Sequence, residues 1–563
     1  MPTYYFVNAG NINRIWGFSG SWATSSGGNP GTLSFPTASD NVFFDANSGT
    51  GTCSIDIARA CSSSNFTGYT GTLRMTTASL TIGTTTAGNR VALILGSGMT
   101  VDATGTGELI ITSPNNTTAS LTSNGKIWNG TLQLKQANAV YQLEDNWTTL
   151  NLNIGATTNN SMILTSSAAN ITMSVLGDLT CSIGGTGRIG PSGNPVPLIL
   201  LRGSGTWTGS AYITNAMMIS ASGAITVAGL VRKYSPGNFT YVTASSLTTT
   251  NSTVQLGHQS ANETWSTDFN NSTWNNVSMS GQHTNNMLSD ITVNGTLTIG
   301  VTSPGYILNG PGKVNARGNV TLATRTSGSS EIIMTGSGTL SQTGTLGSRW
   351  NELALTINTT GSITASGTIV HVGGRLRYVT GSVLTALSTL RISEVAGATT
   401  PLDTRTLSWD AIEIRQQNAY TIVLESPLTA STLSIIPTSG IGQANYFSGS
   451  SGFRTNTLTC TIAGTVLQFA DNVEYIVTGS LNCVGTPASP ILFRNTSLTT
   501  TSRSFFTHQS GGSQTMVYIS GSYIDSSRGQ TIWSTGVDTG ALTQTINWNP
   551  GSGPAESAFV FVY

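Results

Sequence analysis

Charge is what this sequence has least of. Only 8% of its 563 residues are Asp, Glu, Lys or Arg, and 23 cations balance 23 anions to a formal net charge of zero. Neutralising nucleic-acid phosphate, or capture by anionic lipid, needs a basic footprint, so the composition excludes both as a general mode of action. Histidine is almost as scarce. His258, His283, His371 and His508 stand alone, without an HxxxH spacing or a cysteine neighbour, and read as surface or hydrogen-bonded residues rather than metal ligands. The five cysteines, Cys53, Cys61, Cys181, Cys460 and Cys483, form no CxxC pair, which leaves no metal signature and no obvious disulfide framework. Long apolar runs are missing too. "VALILG" from Val91 and "VPLILL" from Val196 are strand-sized, far short of a bilayer span. The opening "MPTYYFVNAGNINRIW" lacks a basic stretch followed by an apolar run, so no cleaved secretion signal is expected. No cofactor is implied.

What the chain has in abundance is glycine, 65 residues of it, together with Thr, Ser and Asn around regularly placed Leu, Ile and Val. The apolar residues alternate with small polar ones in short units: "GTLRM" from Gly71, "GTLTIG" from Gly295, "STLSII" from Ser431, "NTLTCTIAG" from Asn456, "GSLNCVG" from Gly479. Period-two alternation is the signature of a strand with one buried face. A coarser repeat begins on Trp: "WNGTLQL" at Trp128, "WNNVSMS" at Trp274, "WNELALT" at Trp350 and "WDAIEIR" at Trp409. In the last three, apolar residues follow three and five positions after the Trp. If the strand were continuous, that odd offset would put the Trp on the opposite face from the pair. The "WN" or "WD" dipeptide reads as a bend, which predicts that these Trp pack at a corner.

Strand units recur at roughly twenty to twenty-five residues, the length of one coil of a parallel β-helix. Stacking of such coils predicts inward ladders of aliphatics, outward Thr and Ser, and Gly or Asn at corners. The fold class predicted is therefore all-β, a parallel β-helix; with about twenty coils its body would extend on the order of 100 Å. Cys460 and Cys483 are one coil apart in matching contexts and are expected to stack as reduced thiols in the core. Four segments are expected. Residues 1–70 form an N-terminal cap or docking segment, with Trp16, Trp22, Phe43 and Phe44 as its docking or cap residues. Residues 71–455 form the repeat body, with a polar insertion or bend near 233–286. Residues 456–550 form a C-terminal β-helix segment. Residues 551–563 form a tail whose apolar end, "SAFVFVY", suits a last strand, a cap or an oligomer contact.

The N-terminal pattern "SGSW" with "DNVFFDANS" and "GTCSIDIARACSSSNFTGYTGTL", and the C-terminal "VTGSLNCVGTPASPILFRN", "MVYISGSYIDSSRGQTIWSTGVDTG" and "INWNPG", resemble repetitive β-helical virion and tail-fibre proteins of tailed bacteriophages. The resemblance implies a right-handed solenoid and a structural role in the virion, assembled in the host bacterial cytoplasm. It implies a tail fibre or spike presenting a surface to a host glycan, or alternatively a head fibre or capsid decoration protein. The partners it implies are other phage structural proteins, a host-surface polysaccharide and, through trimerisation, further copies of the chain. Neither nucleic acid nor membrane insertion is among them. A bacterial surface adhesin shares such coils and is a further alternative.

Some phage β-helices cleave polysaccharide, so a polysaccharide depolymerase is another alternative, one that takes two carboxylates across a groove. The candidates are Asp410 with Glu413, Glu144 with Asp145, and Asp471 with Glu474. Spacings of three place two of these pairs on opposite strand faces, and the third pair is adjacent. No catalytic residue, no metal ligand and no enzymatic activity are expected. Aromatic faces stack on sugars. Tyr518, Tyr523 and Trp533 are the candidate ligand contacts near the C-terminus, and Trp147, Trp207 and Trp265 are other possible stacking surfaces.

Overall fold

The computed structural model describes residues 2–551 except 9, 32–33, 84–89, 115–116, 136–138, 157–162, 169, 184–187, 190–196, 235–236, 258–262, 282, 301–305, 324, 344–349, 352, 372–373, 380–382, 386–388, 394–398, 406, 416–419, 438–443, 500 and 537–541. His258 and the tail therefore lie outside the described residues. The fold is all-β, with parallel strands stacked coil on coil into a β-solenoid of about 18 turns, as the alternation predicts. The chain divides into two compact units, Met1–Ile291 and Thr292–Tyr563. That boundary is none of those read from the sequence. No helix among the described residues is long and apolar enough to cross a membrane.

In the first unit Leu109, Leu132, Leu152, Leu179, Trp207 and Val227 lie in register on successive parallel strands, all buried. In the second unit the equivalent column is Leu390, Ile412, Leu433, Leu458 and Leu481. Beside it runs Ile392, Ile414, Ile435, Cys460, Cys483 and Met516. Neighbouring strands are about 4.8 Å apart, so each side chain packs on its counterparts above and below. Each buried aliphatic contributes about 1.5–3 kcal/mol relative to exposure. Cys460 and Cys483 do stack, free and buried, and burial pushes both thiols up, that of Cys460 to about 12. Where a left-handed corner is not glycine it falls largely to Asn, as at Asn124, Asn251 and Asn472. Gly209, at φ +105, is required on two counts, because a Cβ there would lie 2.1 Å from the Cys181 carbonyl oxygen.

Trp128, Trp274 and Trp409 are buried, and the structure resolves their parity. A bend at Asn275 separates Thr273–Trp274 from Asn276–Met279, so Trp274 and Val277 both point inward. In Ser408–Arg415 the consecutive residues Asp410 and Ala411 both face outward, which shifts the alternation by one. The side chain of Trp350 is outside the described residues.

Strand pairing runs through two of the segments read from the sequence. Coil stacking begins inside residues 1–70, where Asn41–Phe43 pairs in parallel with Ser63–Asn65 and Thr52–Ile55 with Thr72–Met75. The described residues of the stretch near 233–286, expected as a polar insertion or a bend, include solenoid strands. They supply Phe239–Thr243, Ser246–Thr248, Thr253–Leu256 and Glu263–Asp268, each paired in parallel within the solenoid. The polar composition there reaches into the core. Lys233 is fully buried, with its Nζ donating to the carbonyls of Tyr234 (2.5 Å) and Gly237 (2.6 Å), and burial lowers its pKa strongly.

At the N-terminal end Thr3–Phe6 takes an antiparallel partner, Trp22–Ala23, which closes the edge of its sheet. Phe6, Trp16, Trp22, Phe44, Phe66 and Tyr69 pack beneath it, with ring centroids 4.7 Å apart for Phe6 and Phe44 and 4.9 Å for Trp16 and Trp22. The Trp22 Nε1 donates to the Trp16 carbonyl at 2.7 Å.

Candidate functional site

The same alternation that builds the core of the second unit fixes what its outer face presents. Between the inward leucines and isoleucines, Arg391, Glu413, Ser434, Thr459, Asn482 and Thr515 stand in register on successive strands, and all but the buried Arg391 face outward. Two residues earlier on each strand a second column runs Thr389, Ala411, Thr432, Thr457 and Ser480. From Thr432 and Ser434 onward both columns carry only hydroxyls and one amide. Each hydroxyl both donates and accepts, so the strip offers a two-wide lattice of uncharged hydrogen-bonding groups at the strand spacing. At one end Glu413 bridges two guanidinium groups, with Arg391 Nη2 at 2.6 Å and Arg415 Nε at 3.2 Å.

Trp533 lies at the other end. Val517 and Thr535 are bridged in parallel, and carrying that register back two residues sets Trp533 beside Thr515. Its backbone N–H donates to Gln514 Oε1 at 3.1 Å, and its ring is half-buried. Tyr518 and Tyr523 are placed differently. They occupy the corners at either end of Ile519–Ser522, at φ +51 and +60, a conformation uncommon for bulky residues. The Tyr518 ring lies over Gly536, where a Cβ would come within 2.5 Å of it, and its N–H donates to the Thr535 carbonyl at 2.8 Å. Tyr518 therefore shares the Trp533 end of the strip, while Tyr523 sits one strand length away. Trp147, Trp207 and Trp265 are buried, which removes them as sugar platforms.

Of the expected docking residues, Trp16, Trp22 and Phe44 are buried and hold the cap together from within. Only Phe43 faces outward, stacked on Tyr5 at 5.3 Å. The exposed apolar groups of this end are others: Ile12, Ile15, Phe18, Phe35 and Ile57, with Ile57 59% and Ile12 55% exposed. Ile15 belongs to Arg14–Ile15, the edge strand of a four-stranded sheet, and Ile12 and Phe18 flank that strand in sequence. A reading that ranked residues by aromatic size misses this face, since the largest rings are the ones taken inside. Isoleucines among polar neighbours, as in "NINRIW", were the available signal.

Most of the carboxylates weighed for hydrolysis have partners of their own. Asp145 accepts from the backbone N–H groups of Ser123 (2.7 Å) and Asn124 (2.6 Å), and Glu144 from Gln142. Asp471 accepts from Thr496 and Ser497, and Glu474 from Thr507 (2.6 Å), with Arg528 at 3.4 Å. The parity argument fails for both spaced pairs. Asp410 and Glu413 share the outer side because of the irregularity at Asp410–Ala411, and Asp471 lies in the turn before Glu474–Val484. Among the described residues no group of three or more His, Cys, Asp or Glu is placed to hold a metal. His371 and His508 are buried and bonded to the carbonyl oxygens of Gly374 (2.7 Å) and Gly479 (2.9 Å), and burial lowers both pKa values, that of His371 to about 4.

Compared with protein-family models, with curated proteins and with solved structures, the chain has no match.

Proposed function

We propose that this chain is a structural protein of a bacteriophage particle, a tail fibre or spike whose outward strip in the second unit binds a glycan on the host surface. The observation that carries the reading is the registered strip itself, Ser434, Thr459, Asn482 and Thr515 beside Thr432, Thr457 and Ser480, ending at Trp533. A polysaccharide repeats its hydroxyls along an extended chain, and a strip of evenly spaced donors and acceptors suits that pattern. An aromatic ring at its end suits the flat apolar face of a sugar. The absence of net charge suits an uncharged ligand. The exposed apolar face around Arg14–Ile15 supports attachment of the N-terminal end to other proteins of the particle. Placing the chain in the particle rests on the sequence resemblance.

Immunogold labelling of intact particles tests the placement. Label at the tail tip or baseplate supports host binding, label spread over the head turns the reading to capsid decoration, and unlabelled particles overturn both. For the strip, the double substitution Thr457→Glu/Thr459→Glu should weaken binding to purified host-surface polysaccharide at least about tenfold, equivalent to about 1.4 kcal/mol, without changing the circular dichroism. Unchanged binding would remove the strip from consideration.

The reading is of a binding protein, not an enzyme. Hydrolysis is the second reading, because Asp410 and Glu413 share the outer side. It requires release of reducing ends from the same polysaccharide, abolished by Glu413→Gln.

A further inference from the structure

Acidic residues are spread unevenly along this neutral chain. Between Asp178 and Glu263 there is no Asp or Glu, the longest such stretch in the sequence, yet it carries Arg188, Arg202, Arg232 and Lys233. These cations have no anion of the same stretch to pair with. In the second unit the opposite holds, where Arg375 pairs with Glu425, and Arg391 and Arg415 with Glu413.

Lys233 is taken inside, where its Nζ bonds two carbonyls, so it is closed to any ligand. Arg232, its neighbour on Leu230–Lys233, points to the other side of the strand and is half-buried. Among the described residues the partners of its guanidinium are all neutral. Nη1 donates to the Ser210 carbonyl at 2.6 Å and Nε to Gln255 Oε1 at 3.1 Å. Gln255 is itself held, its Nε2 bonded to Ser280 Oγ at 3.2 Å, which fixes the direction of the amide. The guanidinium carbon lies 4.7 Å from the centroid of the Tyr212 ring, and that ring stacks on Tyr234 at 4.4 Å. Arg232 is thus an oriented cation whose charge is not neutralised. A guanidinium has five N–H groups, and the two bonds leave the Nη2 pair and the second Nη1 hydrogen. Nη1 and Nη2 together form the fork that matches two oxygens of a carboxylate or phosphate, and a fork already held in place loses little freedom on binding.

The outward groups beside it suit hydroxyls. Gln255 and Ser278 follow Arg232 in register on the next two strands, and Thr253 and Asn276 stand two residues earlier on the same strands, all half-buried and none charged. We propose that Arg232 anchors an acidic saccharide on the outer face of the first unit, its guanidinium taking the carboxylate or phosphate of the sugar while Gln255, Ser278, Thr253 and Asn276 meet its hydroxyls. This site shares no residue with the uncharged strip of the second unit and does not rest on the reading of that strip.

The test uses the full chain and three probes: trigalacturonate, maltotriose phosphorylated on one hydroxyl, and maltotriose. Calorimetric titration at low ionic strength should show binding of an acidic probe, with maltotriose at least about tenfold weaker, and added salt should weaken the acidic probe. Binding of trigalacturonate alone assigns the site to a carboxylate, and binding of the phosphorylated probe alone to a phosphate. Arg232→Gln should reduce the affinity at least about tenfold with unchanged circular dichroism, and Arg232→Lys, which keeps the charge and loses the fork, should fall between it and the parent. In the unsubstituted protein the acidic probe should slow modification of Arg232 by phenylglyoxal, read by peptide mass, and leave the rate at Arg202 unchanged, an arm that needs no variant to fold. Failure of both acidic probes to bind overturns the proposal. So does equal affinity in the parent and Arg232→Gln, or an acidic probe that binds without protecting Arg232.

Discussion

Gly17 shows how closely the N-terminal cap is fitted. A Cβ at this position would lie 1.6 Å from Arg59 Nη2 and 2.8 Å from Asp56 Oδ2. The guanidinium must swing aside to make room, and gives up contacts in doing so. It is bonded to Asp56, with Nε to Oδ1 at 2.9 Å, and sits over the Phe35 ring at 4.6 Å. Gly17→Ala should therefore destabilise the protein by up to about 1 kcal/mol, the scale of a disturbed surface ion pair. Urea unfolding measures it, and adding Arg59→Ala should restore part of the loss by vacating the space. His371 gives a second prediction, in pH. Above about 6.5 the imidazole is neutral whether the chain is folded or not, and contributes nothing to pH dependence. Between there and about 4 the unfolded chain takes the proton and the folded chain does not, so stability falls with pH and the loss is complete below about 4. A separation of that size corresponds to about 3 kcal/mol. His508 shifts in the same direction. The unfolding midpoint should drop between pH 7 and pH 4.5, and His371→Gln, which keeps a donor for the Gly374 carbonyl, should flatten that drop. An equal drop in the variant would assign the effect elsewhere.

Adjacent residues on one strand have opposite jobs, and that is the strongest statement the strands make. Leu458 stacks between Leu433 and Leu481 in the core, while Thr459 faces out between Ser434 and Asn482. Leu458→Ala should cost about 2–5 kcal/mol of stability through the cavity it leaves. Thr459→Ala should leave the unfolding midpoint within the error of measurement and act, if the strip binds glycan, on affinity alone. Comparing the two by denaturation and by polysaccharide binding separates core from surface at one position of register. Much of this was legible in the sequence because alternation is a local property: "NTLTCTIAG" already assigns Leu458 and Cys460 to one side and Thr457 and Thr459 to the other. What was not legible arises where alternation breaks. Asp410 and Ala411 both face outward, and no local rule marks that slip, so the parity argument separated Asp410 from Glu413 wrongly. The stacking of Thr515 beside Trp533 was hidden for another reason. It depends on the lengths of the intervening corners, which set which residues become neighbours across coils, and corner lengths vary along this chain. The tyrosine corners at Tyr518 and Tyr523 were unreadable too, since left-handed backbone is normally announced by Gly or Asn.

At the scale of the whole molecule, contacts are mostly between a coil and its immediate neighbours. Such a chain has no single nucleus whose loss unfolds everything, and its stability is close to a sum of coil and neighbour terms. The division into Met1–Ile291 and Thr292–Tyr563 adds a natural place for melting to pause. Calorimetry should therefore show a van't Hoff enthalpy well below the calorimetric one, the mark of a transition with populated intermediates. The two substitutions above should move different parts of it. Gly17→Ala lies in the first unit and Leu458→Ala in the second, so each should shift one portion of the heat-absorption profile and leave the other in place. If both shift the entire profile together, the molecule melts as one cooperative body, and neighbour coupling along the solenoid is stronger than coil-by-coil stacking implies.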